Sequence, residues 1–174
     1  MVWIVCMSEA VSSRPSVPEE SLALGEALVH AIAGCQDRLL GMLYYQTGTR
    51  EGARDAIQQT FARCWRRLDN VPPGGGLESW VFRIALGVGR NLRARAWRHP
   101  PPTIEEDGIE GRIRAALFDL AAEQQEVFLL RQNGRLSYPQ IAGALHLGVA
   151  DVESRMRQAL EVLRQAVNGD LPEK

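Results

Sequence analysis

Apolar residues recur at the three-to-four spacing of α-helices through seven successive segments of this chain, separated by polar, Gly or Pro breaks. The first segment, Ser21 to Gln46, carries Leu24, Leu28, Ile32, Leu39, Leu43 and Tyr44 on one stripe, with Gly34 as a candidate bend. A turn at Thr47–Thr49 leads into REGARDAIQQTFARCWRRL. That segment puts Ala53, Ile57, Phe61, Cys64, Trp65 and Leu68 on one side and Arg54, Asp55, Gln58, Gln59, Arg63 and Arg66 on the other. DNVPPGGG is a loop, since its consecutive prolines and glycines cannot continue a helix. Glu78 to His99 resumes helical spacing, with Val81, Ile84, Ala85, Val88 and Leu92 inward. Past a proline break, Ile109–Leu120 and Glu123–Gln132 contribute Ile113, Leu117, Leu120, Val127 and Leu130 to a second core. The pattern predicts an all-α chain of two small helical units, residues 21–99 and 111–168, joined by a short linker at 100–110. Residues 1–20, Ser/Pro-rich and expected to be disordered, and 169–174 are tails.

The last two segments form a recognisable pair. Ser137 and Gln140 have capping-box spacing, Pro139 falls in the first turn, and Ile141, Ala142 and Leu145 give a short helix one apolar face. His146–Gly148 breaks that helix, and Val149, Val152, Met156, Leu160, Leu163 and Val167 then run along the stripe of a longer one. A short capped helix, a tight turn and a long amphipathic helix make a helix-turn-helix, whose DNA-binding form lays its second helix in the major groove. Away from the stripe lie Ala150, Asp151, Ser154, Arg157, Gln158 and Glu161, flanked by Glu153 and Arg155. Ser, Arg and Gln can donate to phosphates or base edges and Asp can accept from a cytosine amine, whereas Glu153 and Glu161 oppose a polyanion. An ordinary solvated face is the competing interpretation.

Charge sharpens the picture. The net charge of −1 conceals eleven Arg against five acids from Gln36 to His99, while Pro100–Lys174 carries eight basic and twelve acidic residues. A basic middle beside an acidic end points to one segment that meets nucleic acid. The charge split also suggests that the acidic C-terminal unit packs on the basic one in the free protein and masks it. Within the basic part, Arg83, Arg90, Arg93 and Trp97 share one helical stripe, with Arg95 and Arg98 nearby. Arg interleaved with aromatics is the chemistry of a single-strand binder, the guanidinium for phosphate and the ring for stacked bases. Trp80 and Phe82 are open to two assignments, core packing or base contact. Gly87 and Gly89 within this helix each cost about 1 kcal/mol relative to Ala, so packing has to supply its stability.

Other chemistry is sparse. Cys6, Cys35 and Cys64 stand singly, which argues against a zinc site or disulfide framework and fits a reducing cytoplasm. No apolar run reaches membrane-spanning length, and MVWIVCMSEAVSS lacks the basic start of a signal peptide; Met7 is an equally natural start. With no phosphate loop, nucleophile motif or metal cluster, the residues predict no enzyme, no cofactor and no small-molecule substrate.

Three phrases in order carry a resemblance: DAIQQTFARCWRRL, WVFRIA and AAEQQEVFLLRQNGRLSYPQIAGAL. They are similar to the D-[LIV]-[VI]-Q-[ED]-x-F-x-x-x-W, W-L-[FY]-R-I-A and L-P-x-x-x-R-E-V-F-x-L-R…S-Y-x-E-I-A-x-x-L patterns of bacterial RNA polymerase sigma factors of the extracytoplasmic-function (ECF) group. The likeness spans roughly Leu24 to Val167. It implies a region-2-like three-helix unit and a region-4-like helix-turn-helix unit in a cytoplasmic transcription initiation factor. Its partners would be core RNA polymerase and promoter DNA, with an anti-sigma factor an open further partner. By position, the resemblance assigns the polymerase clamp to Asp55, Gln58, Gln59 and Arg63. It gives the melted −10 element to the loop near Asp69–Gly76 and to Ser79, Trp80, Arg83, Arg90, Arg93 and Trp97. It gives the duplex −35 element to Asp151, Ser154, Arg155, Arg157 and Gln158, and sends the acidic linker TIEEDGIE toward the RNA exit path.

The chain departs from the family at informative places. Gln59 stands where an acid is usual, Gly87 and Asn91 replace Asn and Asp, His146 takes a turn position usually held by Gly, and Glu153 sits where Lys is common. Weaker −35 binding than the family norm, or a divergent promoter, is expected. Two alternatives stand beside the sigma reading. One is a sigma-like module that binds polymerase or a regulator and reads DNA weakly; the other is a stand-alone helix-turn-helix repressor, which would leave DAIQQTF unexplained.

Overall fold

The computed structural model describes residues 19–72, 76–96 and 109–168, and every regular element among them is helical. In chain order these are α1 (Glu19–Thr47), α2 (Arg50–Arg66), a 3₁₀ turn at Leu68–Asn70, α3 (Leu77–Ala96), α4 (Ile109–Asp119), α5 (Ala122–Gln132), α6 (Tyr138–Leu145) and α7 (Val149–Asn168). Trp97, the Pro-rich linker, Cys6 and both tails fall outside the described residues.

Helices α1, α2 and α3 pack pairwise on one another. Helix α1 runs through Gly34 as one element, stopping where Gly48 adopts φ 76°, a left-handed conformation that glycine enters without a Cβ clash. Thr49 then caps α2, its hydroxyl oxygen accepting from Gly52 N at 3.0 Å. The centre of the α2 contact is made by small residues: Ala53, Ala56, Thr60 and Cys64 are buried, while Ile57, Phe61 and Trp65 are only half-buried along its edge. Small side chains let α2 approach its neighbours closely, and the larger ones close the groove from the side. Buried Leu28, Leu39, Met42, Leu43, Val81, Phe82 and Val88 complete this core, each removing enough apolar surface to contribute roughly 1.5–3 kcal/mol.

In the C-terminal half, α7 packs against α4, α5 and α6. The capping box is formed as the sequence predicts: Ser137 N donates to Gln140 Oε1 at 2.8 Å, and Gln140 N donates back to Ser137 Oγ at 3.4 Å. His146 ends α6 in the left-handed region at φ 56°, ψ 45°. The stripe predicted for α7 is partly corrected. Val152, Met156 and Leu163 are buried, but Val149, Leu160 and Val167 are 41–47% exposed. Ala159 and Ala166 take their place, because α4 approaches α7 closely enough for only a methyl group there.

The two halves are not separated by solvent. One hydrophobic cluster contains Leu39, Phe82 and Val88 from the first half together with Val127, Leu130, Ile141 and Met156 from the second. Helix α3 lies against α6, and α1 against α4. The C-terminal half thus packs directly on the basic one, through apolar residues.

Candidate nucleic-acid interface

Three faces carry the residues singled out in the sequence. The first is on α2, where Asp55 and Gln58 are exposed and Gln59 and Arg63 half-exposed, one helical turn apart along the side turned from the core. The small buried residues of α2 fix this orientation: with Ala53, Ala56, Thr60 and Cys64 turned inward, Asp55, Gln58, Gln59 and Arg63 fall on other sides of the helix.

The second face is the arginine stripe of α3. Its apolar residues lock the helix onto α1 and α2, so Arg83, Arg90 and Arg93 share the opposite side. That side meets groups of the C-terminal half, although the Arg90 side chain stays 61% exposed. Arg83 Nη1 lies 2.9 Å from His146 Nε2, and because a guanidinium only donates, the ring nitrogen is the accepting side of this contact. Arg90 Nη1 donates to Glu126 Oε1 at 2.8 Å. Arg93 donates through Nη1 to Gln125 Oε1 and through Nη2 to the Phe118 carbonyl, both at 2.6 Å, with its guanidinium 5.2 Å from the centre of the Phe118 ring. Burial pushes the pKa of Arg93 down, with Asp119 opposing that shift. Glu126 is pushed up by burial, a shift opposed by Arg90 and Arg155 and reinforced by Glu123. A cavity of about 260 Å³ lies along this seam between Gln46, Arg90, Arg93, Gln125 and Glu126.

Two residues assigned to this stripe have surroundings that the sequence did not indicate. Trp80 is 4% exposed and belongs to the core with Phe82, so its ring is not available to stack on a base. Arg93 is half-buried and bonded to Gln125 and Phe118. Ser79 is half-buried at the start of α3. The sequence signal for Trp80 was its place in WVFRIA, which marks a position on the helix but not the direction the ring takes.

The third face is the outer side of α7. Arg157 and Gln158 are exposed, and Ser154 and Arg155 half-exposed. Gln158 Oε1 accepts from Gln124 at 3.1 Å, and Asp151 Oδ2 accepts from Gly148 N at 3.3 Å. Asp151 therefore helps start the helix while standing exposed in its first turn. Glu153 is exposed on the same surface. Sequence reasoning missed His146, Gln125 and Glu126 as seam residues, since only the fold brings α5 and the end of α6 onto one face of α3.

Residues 31–99 match the family described as Sigma-70 region 2, and residues 110–163 match Sigma-70, region 4. The chain is 24% identical to the RNA polymerase sigma-H factor of Pseudomonas aeruginosa over 76% of this chain and 81% of that one. It is 20% identical to the ECF RNA polymerase sigma-E factor of Haemophilus influenzae over 92% of this chain and 98% of that one. Among solved structures, CnrH in complex with the cytosolic domain of CnrY superposes with a TM-score of 0.67 at 24% identity, covering 97% of this chain and 98% of that chain. The sigma factor RpoE of Bartonella quintana, in complex with the anti-sigma factor NepR, gives a TM-score of 0.63 at 20% identity over 82% and 97%.

Proposed function

Since the chain belongs to the sigma-70 family, as an RNA polymerase sigma factor of the ECF group, we propose a division of labour among its three faces. The protein is a transcription initiation factor and not an enzyme; the chemistry belongs to core polymerase, and this chain supplies promoter choice. In our reading Asp55, Gln58, Gln59 and Arg63 on α2 dock the polymerase clamp. Ser79, Arg83 and Arg90 on α3 hold the melted −10 strand, with Trp97 beyond the described residues as a stacking ring. Ser154, Arg155, Arg157 and Gln158 on α7, with Asp151 at its start, read the −35 duplex.

The observation that carries this reading is the placement of the two DNA faces on different kinds of support. The α3 stripe is a row of guanidinium groups on a helix held by its apolar side, suited to a flexible strand. Helix α7 follows a capped helix and a tight turn, suited to a groove. The domain division at about residues 100–110 belongs to the same proposal, as does work in the cytoplasm beside polymerase. No helix among the described residues is long and apolar enough to cross a membrane. The solved complexes of RpoE with NepR and of CnrH with CnrY support a protein regulator of the anti-sigma kind as a further partner.

Run-off transcription with core polymerase, on DNA from upstream of the protein's own gene, tests the assignment. Wild-type chain should give a discrete start; Arg83→Ala with Arg90→Ala should abolish opening while core binding persists. Full transcription by that double variant would remove the α3 stripe from the mechanism. A second reading, a sigma-like module with weak DNA reading, is favoured by exposed Glu153 on α7. It predicts stable binding to core without a transcript.

A further inference from the structure

We infer that the cavity where α1, α3 and α5 meet is a binding site for a small phosphate monoester with a compact body, of the sugar phosphate kind. The site uses Arg90 in a second capacity and stands whether or not α3 holds DNA. The cavity has a volume of about 260 Å³ and takes its polar wall from Gln46, Arg90, Arg93, Gln125 and Glu126. That volume is several times the roughly 30 Å³ share of one water and lies just below the range of drug-sized pockets, about 300–1,000 Å³. It suits a metabolite of a few carbons.

Gln46 points to an occupant. The residue is 2% exposed, yet its Oε1 has no hydrogen-bond partner. A Cβ at Gly89 would collide with that oxygen, so α3 closes over this end of the amide. The amide nitrogen makes no hydrogen bond to another described residue and belongs to a side chain that lines the cavity. Buried amides are ordinarily bonded, and leaving one unbonded costs stability that an apolar side chain would not lose.

The unused groups around it are donors. Arg90 gives one N–H to Glu126, and Arg93 gives one each to Gln125 and the Phe118 carbonyl, which leaves N–H groups on both guanidiniums unspent. Gln125 is already bonded at both ends, to Arg93 and to the Leu117 carbonyl. Glu126 is the one acid on the wall, and its Oε1 is taken by Arg90. Burial disfavours the charge on Arg93, and an anion beside it would restore what burial removes. Donors from Gln46, Arg90 and Arg93 match the three peripheral oxygens of a phosphate monoester better than the two of a carboxylate. Leu120, Ala94 and Ala122 complete the wall without an aromatic ring, so the body beside the phosphate is compact rather than a stacked nucleobase.

Calorimetry on the full chain with ribose 5-phosphate tests the site, beside ribose and inorganic phosphate, with melting temperature read in parallel. Ribose 5-phosphate should bind saturably at one site and raise the melting temperature, because a ligand of the folded chain stabilises it. Inorganic phosphate should bind about tenfold more weakly and ribose not at all. Gln46→Leu removes one hydrogen bond to a charged group, so affinity should fall about tenfold while the unliganded variant melts no lower than wild type. Ala122→Phe should fill the cavity from its exposed rim and abolish binding. The site is overturned if neither ribose 5-phosphate nor inorganic phosphate binds saturably. It is equally overturned if wild type, Gln46→Leu and Ala122→Phe bind alike, since the anion then sits on exposed arginines elsewhere. Inorganic phosphate as tight as its ester would refute the compact body, and ribose as tight would refute the anion.

Discussion

Arg93 of α3 donates at 2.6 Å to the amide oxygen of Gln125 on α5, and Gln125, 3% exposed, turns its amide nitrogen to the Leu117 carbonyl at 2.7 Å. A buried glutamine is thereby satisfied on one side by its own half of the chain and on the other by an arginine from the opposite half. Removing the arginine leaves a buried carbonyl oxygen without that donor. Arg93→Ala should therefore destabilise the fold by about 1–3 kcal/mol. Arg83→Ala, whose contact is exposed, should stay within about 0.5 kcal/mol of wild type. Paired urea denaturation curves decide this; equal midpoints for the two variants would contradict the distinction.

Two glycines of the same helix should respond in opposite directions. A Cβ at Gly87 meets nothing within 4 Å, so Gly87→Ala should stabilise by about 0.5–1 kcal/mol through helix propensity alone. A Cβ at Gly89 would collide with the amide of Gln46 and stand 3.1 Å from Leu43 Cδ2. Gly89→Ala should lower the melting temperature, overpacking of this kind costing about 1–3 kcal/mol. Adding Gln46→Ala should return part of the loss, and a melting temperature raised by Gly89→Ala alone would refute the contact.

Ser137 and Gln140 share two reciprocal contacts at the start of α6, so Ser137→Ala should cost about 1 kcal/mol. The loss should appear as faster amide exchange in the first turn of α6. Unchanged exchange there would show that Pro139 and tertiary packing hold the turn without the cap.

Asp55 and Gln58 project from a face of α2 that the core does not use. Asp55→Ala with Gln58→Ala should leave the melting temperature unchanged and weaken retention of core polymerase in a pull-down. A variant that is retained like wild type would move the clamp contact elsewhere.

Glu126 supplies a pH signature. Burial raises its carboxyl above the ordinary range, so the folded chain holds that proton more tightly than the unfolded chain does. The group's contribution therefore declines as pH rises from the ordinary carboxylate value through the raised one. Stability of wild type minus that of Glu126→Gln, measured by denaturation between about pH 4 and 7, should fall as pH rises. A difference that grows with pH would show that Arg90 and Arg155 outweigh burial.

Much of this molecule is written locally. The helical spacing, the Gly48 turn, the Ser137–Gln140 box and the left-handed His146 depend on neighbours within a few residues, and each is in place as the sequence predicts. The family likewise follows from phrases such as DAIQQTF and WVFRIA, which lie within single helices. Composition likewise located the basic segment, because net charge is additive and survives ignorance of geometry. What periodicity could not assign was which side of an amphipathic helix finds a second partner. Leu160 and Val167 continue the apolar stripe of α7 yet stay exposed, whereas Ala159 and Ala166 are buried because α4 crosses there. Trp80 sits in the WVFRIA phrase, which does not give its direction, and turns into the core. Arg93 joins an arginine row but closes onto Gln125 and Phe118, residues distant in sequence. A helical wheel gives direction relative to one axis; only the packing of several axes decides which charges meet solvent and which meet each other.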